Sequence, residues 1–320
     1  MSTYILRKGV ARLSDLVDAD LASRYPGARI IRVAQVNDGG QVGSDANDGS
    51  DWDHAFLTLQ AAINKARYPE GSTTLDYTDK NRAKVVAVWP GHYNEGEILW
   101  SGYNLNIIGV GVEVPGGDYG AVINYDLAAD SVAAFAFSGS GNSIQNLYIK
   151  SDYAGPVLYC AGGDNNLIRN VGIEGDGTNC TYGIQMDSMK GSRVEGCYVT
   201  GCITSGIYVS GGANHYFIDG KIADNHVFNA ASNGKGIYVA AGNVCHNAAI
   251  DHNHVELSTG TSAIGIHVDA TSAGYPLVTD NYVSVPASAS PITHDGGDQY
   301  VLGNHTAAGT TNVDPNPAAG

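Results

Sequence analysis

Apolar residues in this chain recur in a short, fixed frame. A six-residue pattern runs apolar, any, turn-forming residue, fourth position, any, apolar. Copies start at Ile144 (IQNLYI), Ile168 (IRNVGI), Val194 (VEGCYV), Ile222 (IADNHV), Ile250 (IDHNHV), Val278 (VTDNYV) and Val301 (VLGNHT). The starts are 24, 26, 28, 28, 28 and 23 residues apart. Between them lies a second pattern, glycine followed by apolar, any, apolar: Gly183-Ile-Gln-Met, Gly206-Ile-Tyr-Val, Gly236-Ile-Tyr-Val and Gly265-Ile-His-Val. Self-similarity at such a period marks a repeat architecture in which each unit packs only on its neighbours. The connectors are rich in Gly, Ser, Asn, Asp and Thr, so the pattern predicts short strands and turns rather than helices.

The fold class that fits is all-β, a right-handed parallel β-helix over residues 85–306. The third position of the first pattern (Asn146, Asn170, Gly196, Asp224, His252, Asp280, Gly303) holds mostly residues that tolerate a left-handed backbone, and predicts the corner of each coil. The fourth position is apolar at Leu147, Val171 and Cys197, then becomes Asn225, Asn253, Asn281 and Asn304. Stacked one coil apart, about 4.8 Å, these asparagines predict a structural hydrogen-bonded ladder. Upstream, Lys84 to Pro90 reads as a strand, Gly91-His-Tyr as a turn, and Leu105–Gly109 and Val122-Ile123 as further rungs. Over 55–66, Phe56, Leu59, Ile63 and Ala66 fall at helical spacing, predicting a capping helix for the exposed end of the solenoid. The organisation is therefore an N-terminal arm (1–36), a lead-in segment with its helix (37–84), the solenoid (85–306) and a tail (307–320).

Strand alternation points the fifth position outward: Tyr148, Gly172, Tyr198, His226, His254, Tyr282 and His305. Tyr208, Tyr238 and His267 are the outward residues of the second pattern. Together these aromatic and imidazole groups predict one contact stripe, for a subunit interface or for stacking on sugars. With 19 tyrosines against five phenylalanines, the chain favours rings that keep one end wet.

Composition narrows the functional classes. The 320 residues carry a formal charge of −15, which argues against a nucleic-acid partner or an anionic lipid surface. Residues 1–36 run the other way, with Arg7, Lys8, Arg12, Arg24, Arg29 and Arg32 against Asp15, Asp18 and Asp20 for a net +3, and are a candidate docking arm. No apolar run reaches a membrane span, and Met1 to Val10 lacks the apolar core of a secretory signal, so the expectation is cytoplasmic folding without membrane insertion. Cys160, Cys180, Cys197, Cys202 and Cys245 form no CxxC pair and read as buried thiols.

No catalytic residue, metal or cofactor is assigned. His226 and His254 occupy equivalent positions one coil apart and could share an ion, but neutral histidine also simply hydrogen-bonds on a strand. Asp251 and Asp280 are carboxylates on neighbouring rungs, and Asp187 and Asp269 are carboxylates beside the second strand several coils apart; nothing marks either pair as an acid and a base. Arg169 and Arg193, near Glu174 and Glu195, read as a salt-bridged surface. Asp45, Asn47, Asp48, Asp51 and Asp53 read as a polar turn before the helix rather than a calcium loop.

Asp45-Ala-Asn-Asp-Gly49, then Phe56-Leu-Thr-Leu-Gln-Ala-Ala-Ile63, then Val85-Val-Ala-Val-Trp-Pro-Gly-His-Tyr93 resemble the lead-in segment of pectate-lyase-like β-helix proteins, a segment shared by many bacteriophage tailspikes. With the asparagine-bearing rungs, the resemblance covers about residues 43–306. It implies a β-helix displayed on a virion, typically as a homotrimer assembled in the host cytoplasm, as a capsid decoration or tail spike. Its N-terminal arm would meet other virion proteins and its surface a host polysaccharide. The Asn-Thr-Asp, paired-aspartate, Gly-His-Gly and Arg-Ile-Lys motifs of polygalacturonase-type enzymes are missing. The sequence therefore points to a non-enzymatic virion protein, with a polysaccharide lyase or glycoside hydrolase as the alternative. The few residues after the last rung favour the first, because glycan-cleaving tailspikes usually carry a C-terminal trimerisation module.

Overall fold

The computed structural model describes residues 5–6, 9–10, 12–37, 39–67, 83–111, 120–125, 133–212, 215–229, 234–258, 262–269, 274–287, 289–295 and 300–306. Each repeat contributes one strand to each of three long sheets. Within these sheets every pairing is parallel and joins one coil to the next. A ten-stranded sheet runs from Arg29–Val33 through Lys84–Val88 and Leu105–Gly109 to Val301–Leu302. A nine-stranded sheet runs from Gly91–Glu95 to His305–Thr306, and an eight-stranded one from Ile98–Ser101 to Ser290–His294. The six-residue repeat is the corner between the first two sheets: Ile144 pairs with Ile168, and Ile149 with Ile173 on the next sheet.

All seven third-position residues turn in the left-handed region, with φ between 51° and 64°. That conformation is cheap only for Gly and for residues such as Asn and Asp. Residues one and six of the first six copies, and Val301 of the seventh, point into a single core that extends from Ile31 to Val301. The glycines of the second pattern, each in a strand of the eight-stranded sheet, answer a steric demand. A Cβ on Gly206, Gly236 or Gly265 would lie 2.2 Å from a γ-methyl of Val227, Val255 or Val283 respectively.

The fourth-position asparagines line this interior, each no more than 1% exposed. Nδ2 of Asn225, Asn253 and Asn281 donates to Oδ1 of the asparagine one coil on (2.9, 2.9 and 2.8 Å), and all four amides donate to a backbone carbonyl behind them, as Asn253 does to Ile222 at 2.9 Å. The column starts from the N–H of Cys197, which reaches Oδ1 of Asn225 at 2.9 Å. Asparagine stacking is not restricted to the later coils. At another corner, Leu105 N–H donates to Asn142, Asn142 N–H to Asn166, and Asn166 N–H to the Ser192 hydroxyl, at 3.0 to 3.1 Å.

Four expectations for the N-terminal region change. The arm is part of the fold, because Arg29–Val33 forms the first rung and pairs with Lys84–Val88. A helix not foreseen from the sequence, α1 (Leu13–Arg24), covers the outer face of that sheet, where Leu21, Trp52, Trp89 and Ile108 form a second apolar cluster. The capping helix, α2, spans Leu59–Arg67 rather than 55–66. Phe56 instead bridges Val33, and the helix starts where Thr58 Oγ1 accepts from Ala61 N–H. The buried face of α2 (Leu59, Ala62, Ile63, Ala66) closes the core. Gly91–Glu95 is a strand rather than a turn, because Tyr93 and Glu95 alternate into the interior.

The arginines intended for docking are used within the chain. Arg32 is only 9% exposed, pairs with Asp18 at 3.1 Å, and also donates to Ser50 O. Arg12 meets Asp53 and Arg24 meets Asp20, at 3.1 and 2.9 Å. Arg29 opens the first strand, and Arg7 and Lys8 lie outside the described residues, as does the tail 307–320. No helix of the described residues is long and apolar enough to cross a membrane.

Candidate functional site

The outer face of the eight-stranded sheet carries the most developed constellation. Ile207 and Val209, and Ile237 and Val239, are fully buried, so the residue between each pair faces out. Register then aligns Leu99, Ala136, Tyr159, Gln185, Tyr208, Tyr238, His267 and Thr293 in one column, one per coil. Tyr182 joins it from the side. Ring centroids are 4.3 Å apart for Tyr182–Tyr208, 5.3 Å for Tyr208–Tyr238 and 5.1 Å for Tyr238–His267. At the α2 end the column opens into a groove of about 360 Å³, where Arg67, Leu99, Ala136, Ser138 and Tyr159 form part of the lining.

Polar groups flank the rings at the strand ends. Asp187 accepts from the Tyr159 hydroxyl, from Gln185 Nε2 at 3.2 Å and from Ser210 Oγ at 2.7 Å. Tyr238 donates to Asp269 at 3.1 Å, and Lys235 Nζ sits 3.3 Å from the Tyr238 ring centroid. Burial raises the hydroxyl pKa of Tyr159, Tyr182 and Tyr208, and burial with the nearby Asp269 pushes Tyr238 up to about 12. Burial lowers His267 and Lys235. Near neutral pH this face presents neutral hydroxyls, ring faces and two anchored carboxylates. Such chemistry suits polyhydroxylated ligands.

The single stripe expected from the sequence is in fact two columns on different sheets. Tyr208, Tyr238 and His267 lie on the eight-stranded sheet. Tyr148, Tyr198, His226, His254, Tyr282 and His305 lie on the nine-stranded one. Tyr148 departs from the outward pattern: it is 8% exposed, folds over Gly172 and donates to Glu174 at 2.6 Å. A Cβ on Gly172 would come 2.1 Å from the Tyr148 ring, so that gap in the repeat makes room for it. The sequence pattern does not reach Tyr159, Tyr182, Lys235 or Arg67, and it offers Asp187 only as a carboxylate paired with Asp269. Leu158-Tyr-Cys160 does alternate in the same sense, but without a preceding glycine it falls outside the pattern.

The candidate carboxylate sets resolve differently. Arg169 binds Glu195 at 2.7 Å, whereas Glu174 meets Lys150 at 3.3 Å. Asp251 faces Lys221 at 3.1 Å, and Asp280 sits one position on, in the corner. Asp187 and Asp269 are three coils apart, roughly 14 Å at about 4.8 Å per coil. Asp45 accepts from Leu57 N–H, Thr58 N–H and Thr58 Oγ1, securing the start of α2. All five cysteines are free and buried, and burial raises their thiol pKa values, to about 12 for Cys160 and Cys197.

A family model described as "Right handed beta helix region" matches residues 107–306. No curated protein matches the sequence significantly. Among solved structures, the chain is similar to pectin methylesterase PemA from Erwinia chrysanthemi, at 14% identity and TM-score 0.51, covering 89% of this chain and 91% of that one. A pectin methylesterase variant in complex with a hexasaccharide gives 15% identity, TM-score 0.51 and the same coverage. Pectate lyase Pel9A gives 12% identity and TM-score 0.54, over 82% of this chain and 65% of that one. At these identities the likeness is one of fold.

Proposed function

The chain belongs to the right-handed β-helix family, and from that premise we propose that it is a non-catalytic, glycan-contacting projection on a bacteriophage particle. It holds a polysaccharide along the outer face of the eight-stranded sheet. The observation that carries this reading is the run of ring contacts Tyr182, Tyr208, Tyr238 and His267, which Gln185 and then Tyr159 extend along the same column into the groove beside Arg67. Rings supply flat apolar faces, and Asp187, Gln185 and Asp269 supply hydrogen-bonding partners at the rim. A similar fold holds a hexasaccharide in a pectin methylesterase.

The phage setting rests on the likeness of the lead-in segment to tailspike proteins, and so do the homotrimer and attachment to other virion proteins through the N-terminal region. Leu13 and Leu16 on α1, with Val36 and Val42, leave that region exposed apolar groups for such a contact. A single species of three times the chain mass in light scattering is expected; a monomer would remove the trimer.

A lyase or hydrolase is the second reading. Asp269 and Asp295, which follow the paired residues Val268 and His294 on adjacent coils beside His267, favour it. Incubation with capsular and pectin-type polymers discriminates the two. Saturable binding without new reducing ends or unsaturated product is expected, and clear turnover would overturn the non-catalytic reading.

A further inference from the structure

The column on the nine-stranded sheet has a different chemistry. His226 and His254 are register partners on adjacent coils, their rings stacked 4.5 Å apart at 22°. Glu256 lies two residues beyond His254 on the same strand, hence on the same face, with its carboxylate 3.9 Å from His254 Nε2. One ligand atom from each of the three residues lies within 4.8 Å of the other two. Nε2 of His226 is shielded from solvent and has no hydrogen-bond partner among the described residues. Tyr198 meets His226 edge-on at 5.4 Å, and Tyr282 meets His254 at 4.7 Å, so the ring pair is held from both ends.

We propose that His226, His254 and Glu256 bind a divalent transition-metal ion, Zn²⁺, with the fourth coordination position left to solvent. Two imidazoles and one carboxylate are a donor set that suits Zn²⁺, whereas Ca²⁺ and Mg²⁺ favour cages of oxygen ligands. Tetrahedral Zn²⁺ with bonds of about 2.0–2.2 Å sets its donors roughly 3.3–3.6 Å apart. Closing on an ion from spacings of up to 4.8 Å needs side-chain shifts on the order of 1 Å, within reach of rotamer adjustment in the part-exposed His254 and Glu256. The bound ion would clip two successive coils together. The site lies on a different sheet from the ring groove, so it stands independently of the glycan reading.

Protein stripped with EDTA and dialysed is titrated with Zn²⁺ by calorimetry, and its melting temperature is followed with and without the ion. One Zn²⁺ per chain at micromolar Kd or tighter is expected, with a rise in melting temperature. His254→Ala and Glu256→Gln should each weaken binding at least about tenfold. His305→Gln, on the same column but outside the cluster, should bind as the parent does. Glu256→Gln changes a part-exposed group, and far-UV circular dichroism verifies its fold. No saturable uptake by the parent protein, or equal uptake by the parent, His254→Ala and Glu256→Gln, would overturn the proposal.

Discussion

Asn253 reaches a single oxygen of Asn281 twice: its backbone N–H and its side-chain Nδ2 both donate to Asn281 Oδ1 at 2.9 Å. The same amide donates to Ile222 O at 2.9 Å, and its own Oδ1 accepts from both donors of Asn225. Replacing Asn253 with leucine removes the amide and leaves several buried groups unpaired. We expect a loss of at least about 1–3 kcal/mol in urea unfolding. An unchanged midpoint would mean that water or a shifted corner replaces those bonds.

Tyr208→Ala removes the central ring of the column and leaves Ile207 and Val209 to hold the strand. Polysaccharide affinity should fall by roughly 3- to 10-fold with little change in melting temperature. Tyr216→Ala, an exposed ring on the strand Tyr216–Ile218, is the control. Equal binding by parent and Tyr208→Ala would remove the groove as the site.

Gly236 tests the close approach of two sheets. Alanine there would place Cβ 2.2 Å from Val255 Cγ1, and a destabilisation of about 1–3 kcal/mol is expected. The double variant Gly236→Ala/Val255→Ala should recover part of it. Failure of Val255→Ala to compensate would locate the strain elsewhere.

Alkaline titration probes Tyr238. Its folded pKa, about 12, lies above the ordinary value near 10. The stability it contributes is present in full below about pH 10 and is lost as pH rises towards 12. Tyr238→Phe should flatten the fall in melting temperature across that window, and tyrosinate absorbance should show one fewer late-titrating group. An identical profile in parent and variant would contradict the assignment.

Deleting residues 1–36 removes the first rung together with the helix over Trp52 and Trp89. The melting temperature should drop and aggregation rise, because Lys84–Val88 becomes an unpaired edge. A truncated protein as stable as the parent would restore the picture of a separate arm.

The corners and the inward positions were legible because each is a local demand repeated at fixed spacing. Asn146 and Asp280, five coils apart, share a left-handed backbone (φ 56° and 53°), and Asn225 and Asn304 share a buried amide. Two things were not legible. Helix α1 buries only Ser14 and Leu21, so no apolar stripe announces it. Alternation shows that Tyr198 and Tyr208 both face out, but not that a turn between them sends them to different sheets. Asp187 was visible as a carboxylate; its tie to Tyr159 depends on two coils lying side by side.

The 28-residue spacing of Ile222, Ile250 and Val278 has a consequence for how such a molecule changes size. Each coil meets only its two neighbours, and the buried amide, the corner residue and the outward ring all recur at the same phase. Duplicating one such segment in the gene would lengthen the molecule by about 4.8 Å while supplying its own seal to the coils on either side. Reach and the number of sugar-sized steps along the groove can thus be reset by copying sequence already in place, without inventing a new core.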